Sequence, residues 1–423
     1  MTLRAAPTEP ADGEAPISVA MFTNLFAPVV SGSATQSMGL AATLAARGHK
    51  VVVITAHVDR QSAVHERIDG YDIYRIPALR LPEMSISLNF PWLNWTLWPA
   101  NLRRMEDILR RHGVQVIHVH NHMFDLAFAG MILRRRLKLP AVLTLHTIIK
   151  HSIALFNLLL VPADRFVLKS LVVSQAEAVI CPDCNVQRYL EERFSRQDGR
   201  LIPYGIDLPA DPGQAVKQRI VEQYALKGKR VILSLGHVHA LRNRLDLIRA
   251  MPRVRERFPN VRLLIVGAVA DERPVALVKQ LELGDAVIFT GPQPYADIPA
   301  YHALAELEAM WLDQADGGLN SLGIACMEGM YMARPVLTVS NEDTFGPGVL
   351  KNGRDIIILK AGDPDKIAAI IIDLLADEEK ARRIGRAAEE VARTQFAWPS
   401  VRDQTLAVYR MALASSSSSV GPR

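Results

Sequence analysis

The sequence predicts an α/β chain built as two doubly wound units, each a parallel sheet covered by helices. Three observations carry this expectation. Short apolar runs alternate with helical patterns from 17 to 205, the signature of parallel strand–helix–strand units. The same alternation restarts at 230 and runs to 390. And 423 residues are too many for one ordinary core.

The elements follow in order. An apolar run at 17–22 reads as a strand and ends in the turn-rich stretch 23–33. A helical pattern spans 35–46, closes on Arg47-Gly48-His49, and leads to a strand at 51–55. A strand at 71–76, a helix at 98–112 and a buried strand at 114–120 come next. Helix 126–137 and strand 141–145 repeat the alternation, and short strands at 178–181 and 200–202 complete the first unit. In the second unit, strand 230–235 ends in Gly236, helix 242–258 follows, and strand 261–266 ends in Gly267. A helix to 281, strand 286–290, helix 298–305 and strand 307–312 lead to the loop and helix 318–336. Strands 336–340 and 355–359 and helices 363–376 and 378–395 finish it. The two wound units, about 17–205 and 230–390, are joined by a hinge near 204–229. Ligands of such sheets bind outside the carboxyl ends of the strands, so two of them facing each other place the ligand in the cleft between.

Composition narrows the function. Hydrophobic content of 49% and charged content of 22% describe a globular protein, and a net charge of +5 suits phosphorylated ligands or anionic lipid surfaces but is too small to indicate nucleic acid. Three cysteines do not make a disulfide framework and fit a reducing cytoplasm. Residues 1–15 read as a disordered leader, and the serine-rich 415–423 as a disordered tail. No window is long and apolar enough to span a bilayer; the nearest, 153–173, is broken by Pro162, Asp164, Arg165 and Lys169.

The segment 318–336 is the most informative for chemistry. A small-residue loop leads into a helix opening at 321–323, where unpaired backbone N–H groups and a positive dipole end suit a phosphate or pyrophosphate. Glu328 interrupts the apolar face of that helix and, as an acceptor, suits sugar hydroxyls. Phosphate at the loop and ribose at Glu328 describe a nucleotide-sugar site; a packing helix with one exposed Glu is the alternative. Gly32 opens the first helix and allows close backbone approach to an anion, or merely permits a turn. The loop from Gly236 carries His237, His239, Arg242 and Arg244; arginine there could hold a pyrophosphate, while surface exposure is the reading for His239 and Arg244. His146 ends a strand, where an imidazole could meet a substrate hydroxyl. His118 and His120, read as alternating faces of a strand end, could suggest metal ligands together with His122, but no Cys or carboxylate cluster completes a site. Cys181 and Cys184 have C-x-x-C spacing and read as two separate packed thiols. Trp92, Trp95 and Trp98, with Arg103, Arg104, Arg110, Arg111 and Arg134 to Arg136, could rest on an anionic membrane, line a bulky acceptor pocket, or form core.

Taken in order, these motifs resemble the family 4 retaining glycosyltransferases. Pro28-Val-Val-Ser-Gly32 followed by Arg47-Gly48-His49 is similar to that family's opening P-x-x-G-G and R-G-H-x-V-x-V. His118-Val-His120, Leu145-His146-Thr147, Pro203-Tyr204-Gly205, the loop 236–242, Glu328 to Val336 and Phe396-Ala-Trp398 continue the pattern to about 409. The resemblance implies a GT-B fold, with an acceptor-side Rossmann-like domain at 16–210, a donor domain at 211–395 and a helix at 396–414 packing back toward the first. By the same resemblance, Glu328 binds ribose and Ser321, Leu322, Gly323 and Ile324 lie at the helix start beside the diphosphate, with Gly32 and Gly236 on the loops facing it. His146 lies near the donor sugar, and His237 and Arg242 stand where the family has an Arg and a Lys clamping the diphosphate. Asn320 replaces the family's first glutamate, keeping hydrogen-bonding capacity without charge.

The function so implied is retaining transfer of a sugar from a nucleoside diphosphate to a hydroxyl acceptor, on a lipid, glycan or small molecule. Catalysis would be electrostatic, with no cofactor and no required metal. A non-catalytic or partner-dependent homologue that binds nucleotide sugar, or a nucleotide-sugar epimerase, is the alternative. The expected location is the cytoplasm, with peripheral contact on the inner face of the membrane as an option; no nucleic-acid partner is expected.

Overall fold

The computed structural model describes residues 15–28, 31–59, 61–80, 94–149, 154–207, 211–240, 242, 244–310, 312, 322–360 and 362–418. The leader 1–14, Trp92, Asn320, Ser321 and the tail 419–423 lie outside the described residues. The chain divides into two compact units, one of residues 1–205 with 398–423, the other Ile206–Ala397.

The first unit holds β1 (Ser18–Phe22), β2 (Lys50–His57), β3 (His65–Ile68), β4 (Tyr71–Pro77), a small antiparallel pair β5 (Leu79–Arg80) and β6 (Asn94–Trp95), then β7 (Val116–His120), β8 (Ala141–Thr144), β9 (Ala178–Cys181) and β10 (Arg200–Leu201). Its eight-stranded sheet runs β10-β9-β8-β7-β1-β2-β4-β3. All neighbours pair in parallel except β3, which lies antiparallel on the edge beside β4. β1 and β7 are buried along their whole length, as strands covered by helices on both faces must be. The edge strand β3 has no such apolar run; His65-Glu66-Arg67-Ile68 carries no strand signal in its sequence.

The motif Arg47-Gly48-His49 has a plain structural purpose. Arg47 ends the helix Gly32–Ala46, Gly48 turns the chain at φ +87°, and His49 Nδ1 accepts the Ile17 N–H at 3.0 Å, tying helix end to the start of β1. The last helix, Trp398–Ser418, belongs to this unit: Val401, Leu406, Val408, Tyr409 and Ala412 join Val19, Met21 and Val53 in one core. The indole of Trp398 fills the space beside Gly39 and Gly205, where a Cβ would fall 2.0 Å and 2.3 Å from its ring. The serine run predicts disorder from 415, yet the helix continues to Ser418. Ser415 and Ser416 hydroxyls donate to the carbonyls of Met411 and Ala412, so these serines bond along the helix instead of unravelling it.

The second unit holds β11 (Arg230–Leu235), β12 (Val261–Val266), β13 (Val287–Gly291), β14 (Leu307–Met310), β15 (Val336–Val339) and β16 (Ile357–Leu359). They form one parallel sheet in the order β13-β12-β11-β14-β15-β16. Strand order reverses between β1 and β7 in the first unit and between β11 and β14 in the second. The loops at the carboxyl ends of those strands flank the crevices where such sheets take their ligands.

Candidate functional site

In the second unit the reversal point brings together the loop after β11, with His237 and Arg242, and the chain entering the helix Ile324–Tyr331 after β14. The loop after β11 is regular. Gly236 N–H donates to Val266 O at 2.8 Å, Val238 N–H to Ala268 O at 2.8 Å, and Ala270 N–H returns to Val238 O at 2.8 Å. Gly236, at φ +118°, and Gly267 let the two loops touch: a Cβ on Gly267 would lie 2.5 Å from Gly236 O.

Arg244 is the organiser of this loop and corrects the expectation of surface exposure. It is fully buried, in the left-handed region at φ +65°. Its guanidinium donates to the carbonyls of Leu235 (3.2 Å), Gly236 (3.0 Å), His237 (3.1 Å) and Arg242, while Nε meets Ser234 Oγ at 3.2 Å. A fork of donors matched to converging carbonyls holds the loop in shape. Helix 245–257 therefore starts three residues later than the pattern 242–258 suggests, because Arg242 and Arg244 belong to the loop. His239 is half-buried, and burial, followed by the charges of Arg242 and Arg244, lowers its pKa. His237 is exposed, and its Nδ1 accepts the Ala268 N–H at 3.2 Å. The neutral imidazole therefore carries its proton on Nε2 and presents a donor.

Opposite this loop in strand order, the helix Ile324–Tyr331 begins at Gly323 with no side chain capping it among the described residues, and Gly323, Ile324 and Ala325 are partly accessible. Leu322 is buried. Arg242 is near enough to Cys326 for its charge to oppose the burial that pushes that thiol up to about 12.

Glu328 is buried, not an exposed residue on a packing helix. The Tyr295 hydroxyl lies 2.9 Å from its Oε1 and 2.9 Å from Asp207 O. Burial raises the Glu328 pKa; His302 and the Tyr295 hydrogen bond pull it back, and Glu308 adds to the rise. Beneath it, Glu308 of β14 and His302 form a fully buried pair at 2.5 Å. Burial opposes charge on His302, but the carboxylates of Glu308 and Glu328 raise its pKa overall. Gly329 is required by this pair: a Cβ there would fall 2.2 Å from Glu308 Oε2. Tyr295, His302, Glu308 and Arg244 were not readable as site residues, although a carboxylate within the apolar strand Leu307–Met310 is a signal that could have revealed Glu308.

In the first unit, Gly32 is exposed at the start of its helix, where Ser31 Oγ accepts the Ala34 N–H at 3.1 Å. Its φ is not positive, and a Cβ there would meet nothing within 4 Å among the described residues. Among the described residues neither packing nor backbone conformation asks for glycine here.

His146, half-buried beyond β8, has both ring nitrogens engaged: Nε2 is 3.0 Å from His120 Nδ1 and Nδ1 is 3.2 Å from the Tyr204 hydroxyl. Its N–H donates to Asn121 Oδ1 at 3.1 Å. Loss of hydration lowers its pKa to about 4, so it is neutral at pH 7. His118 and His120 share one face of β7, as residues two apart on a strand must, with ring centroids 4.2 Å apart. This corrects the alternating-face reading. His118 bonds Tyr409 and Thr144 at 2.7 Å each, and burial lowers its pKa to about 3. His122 meets Asp164 and Tyr189, both at 3.2 Å. Each of these imidazoles meets a protein partner, although His120 Nε2 and His122 Nδ1 have none among the described residues, and among those residues no group of three or more His, Cys, Asp or Glu is placed to hold a metal ion. Cys181 and Cys184 are not joined in a disulfide. A cavity of about 290 Å³ lies at the starts of β11 and β14, lined by Arg230, Glu306 and Arg334, on the edge of the sheet away from Glu328.

Comparison with known proteins adds to this geometry. Residues 30–209 match the family model Glycosyltransferase Family 4, and residues 216–391 match Glycosyl transferases group 1. A GDP-mannose-dependent alpha-(1-6)-phosphatidylinositol monomannoside mannosyltransferase of Mycolicibacterium smegmatis is 27% identical over 78% of this chain and 81% of its own. An alpha-monoglucosyldiacylglycerol synthase of Streptococcus pneumoniae is 24% identical over 76% and 71%. In fold, the chain is similar to Anabaena HepE in complex with UDP, with a TM-score of 0.68 at 18% identity, covering 94% of this chain and all of that one. It is also similar to sucrose-phosphate synthase from Thermosynechococcus elongatus, at 0.65 and 19%, with the same coverage.

Proposed function

The chain belongs to glycosyltransferase family 4, with the GT-B fold and retaining, nucleotide-sugar-dependent chemistry, and we propose the following roles for its residues. Glu328 binds the ribose of the donor: Tyr295 holds Oε1, and Oε2 is offered to a ribose hydroxyl. The diphosphate sits at the N-terminus of the helix Ile324–Tyr331, beside Ser321, Leu322 and Gly323, and Arg242 and the Nε2–H of His237 meet its charge. Gly236 lets backbone approach it closely, and Asn320 serves the sugar. The observation that carries this reading is the buried carboxylate of Glu328 at the reversal point of its sheet, between a helix start with glycine at its cap and a basic loop.

The anomeric C–O bond to the diphosphate breaks and the acceptor oxygen joins the same face of the sugar. The acceptor's proton passes to the departing phosphate oxygen, which carries the negative charge. No cofactor enters, and the positive groups named here take the place of a required metal. His146 stays neutral and is oriented by His120 and Tyr204; a hydrogen bond from its ring to the sugar would require one of these partners to yield. The acceptor hydroxyl is lipid-borne, in keeping with the acceptors named for the two relatives above, and peripheral contact with a membrane belongs to this reading. Among the described residues no helix is long and apolar enough to cross a membrane.

Calorimetric titration with UDP and GDP, followed by a donor-turnover assay, tests the proposal. Glu328→Ala should lose roughly tenfold to a hundredfold in nucleotide affinity, the worth of a charge-assisted hydrogen bond, with thermal melting retained. Unchanged affinity would place the ribose elsewhere, and turnover abolished by EDTA would restore a metal.

A further inference from the structure

Among the described residues, six of the twelve exposed large hydrophobic side chains fall within one stretch of seventeen residues: Leu155, Leu158, Leu159, Phe166, Val167 and Leu171. Four of them are exposed by 73%, 77%, 75% and 67%, in the order Leu155, Leu158, Leu159, Phe166. Scattered apolar residues on a surface need no explanation, but a contiguous cluster does.

The stretch is one continuous helical rod: helix Ala154–Pro162, a π-helical turn Ala163–Leu168, and a last turn Lys169–Leu171. Residues 155, 158 and 159 are spaced i, i+3, i+4, and 166 returns to that face three turns on. The wider π turn then brings 167 to the surface beside it.

The inward side of the rod is pinned by its one acid. Asp164 is fully buried and accepts from the Tyr189 hydroxyl at 2.5 Å, with His122 at 3.2 Å and Arg193 at 3.6 Å. The remaining charges of the stretch are Arg165 and Lys169, so its outer surface is apolar and basic, with no carboxylate. The basic rim continues at the far end. Gln175 Nε2 donates to Ser170 O at 2.8 Å, and Arg135 Nε donates to Gln175 Oε1 at 3.2 Å, which seats Arg135 beside the last turn.

We propose that this rod docks the protein on an anionic lipid bilayer, with Leu155, Leu158, Leu159 and Phe166 entering the headgroup–acyl boundary while Arg165, Lys169 and Arg135 meet lipid phosphates. A ridge of protruding leucines with cations at its margin matches an interface that is apolar in depth and negative at its surface. The inference deepens the lipid-borne acceptor reading, on which its purpose rests, and moves the membrane contact from the tryptophan stretch 92–98 to the rod 154–171.

The test is flotation of the full chain with vesicles of phosphatidylcholine alone and of phosphatidylcholine containing roughly 30% phosphatidylglycerol, at low and high salt. The protein should float with the anionic vesicles, and less so at high salt. Leu158→Glu with Leu159→Glu should cut partitioning about tenfold or more, with melting temperature and nucleotide affinity unchanged. Arg165→Glu with Lys169→Glu should remove the preference for the anionic vesicles. Flotation unaltered by the leucine pair, or no flotation of the unmodified chain, overturns the proposal. So does a fall of several degrees in melting temperature in the leucine pair, which would mean the face packs within the molecule. A dimer dissolved by that pair, without vesicle binding, would assign the face to a second copy. Flotation without transfer to any lipid acceptor leaves the docking in place and defeats the lipid-acceptor reading alone.

Discussion

Replacing Arg244 with methionine keeps its length and apolar bulk and removes five donors. The carbonyls of Leu235, Gly236, His237 and Arg242 then lose a shared partner, and Ser234 loses its contact with Nε. An unsatisfied buried acceptor costs about 1–3 kcal/mol, but the groups converge on one side chain and the loop can relax, so the penalties do not add. A loss of about 3–5 kcal/mol is expected, the scale on which buried charged networks break. At about 2–4 °C per kcal/mol for a unit of 150–250 residues, the transition of the unit Ile206–Ala397 should fall by roughly 6–20 °C. Differential scanning calorimetry reads this directly, and UDP or GDP titration should show weakened binding, because His237 and Arg242 ride on the same loop. A surface arginine would shift melting by less than about 2 °C; a shift that small would refute the organising role.

Four further outcomes follow from the same geometry. Glu328 has a raised pKa, so nucleotide affinity should fall with decreasing pH beginning above the ordinary carboxylate value of 4.5, and Glu328→Gln should abolish that limb of the titration. For stability the sign is opposite: a carboxyl whose folded pKa is raised contributes fully below its unfolded pKa, and the contribution is lost as pH rises through the folded pKa. In the absence of ligand, urea melts of Glu328→Gln should therefore gain on the unmodified protein as pH rises. Tyr295→Phe should weaken nucleotide binding about threefold to tenfold in calorimetric titration, less than loss of the carboxylate itself, because it frees Glu328 without removing it. Gly32→Ala should leave melting within about 1 °C, since its Cβ meets nothing within 4 Å among the described residues, and should reduce donor turnover if this position faces an anion.

Much of the fold is legible because parallel strands buried on both faces write themselves as apolar runs. Val51 to Ile54 and Val261 to Val266 are examples, and the glycine loops follow such strands. The place of Glu328 is legible too, since a carboxylate in an apolar helix stands out. What escapes is the fate of charge. Nothing local distinguishes Arg244, which is buried under four carbonyls, from Arg249, which pairs with Asp246 on the surface. The partners of His118 and His302 are set by tertiary packing across 291 and 6 residues, and the first of these has no sequence signature. The edge strand β3 is invisible for the converse reason: an exposed edge needs no apolar pattern.

The helix Trp398–Ser418 also dictates an order of assembly. The residues that finish the first unit's core are synthesised only after the whole of Ile206–Ala397. Until then His118 lacks Tyr409, and Gly39 and Gly205 lack the indole that fills the space beside them. The half made first is thus completed last, and a fragment ending near 205 would be an unfinished protein. The stretch Ile206–Ala397, by contrast, brings its own two ends together, where Ile206 N–H donates to Phe396 O at 2.8 Å.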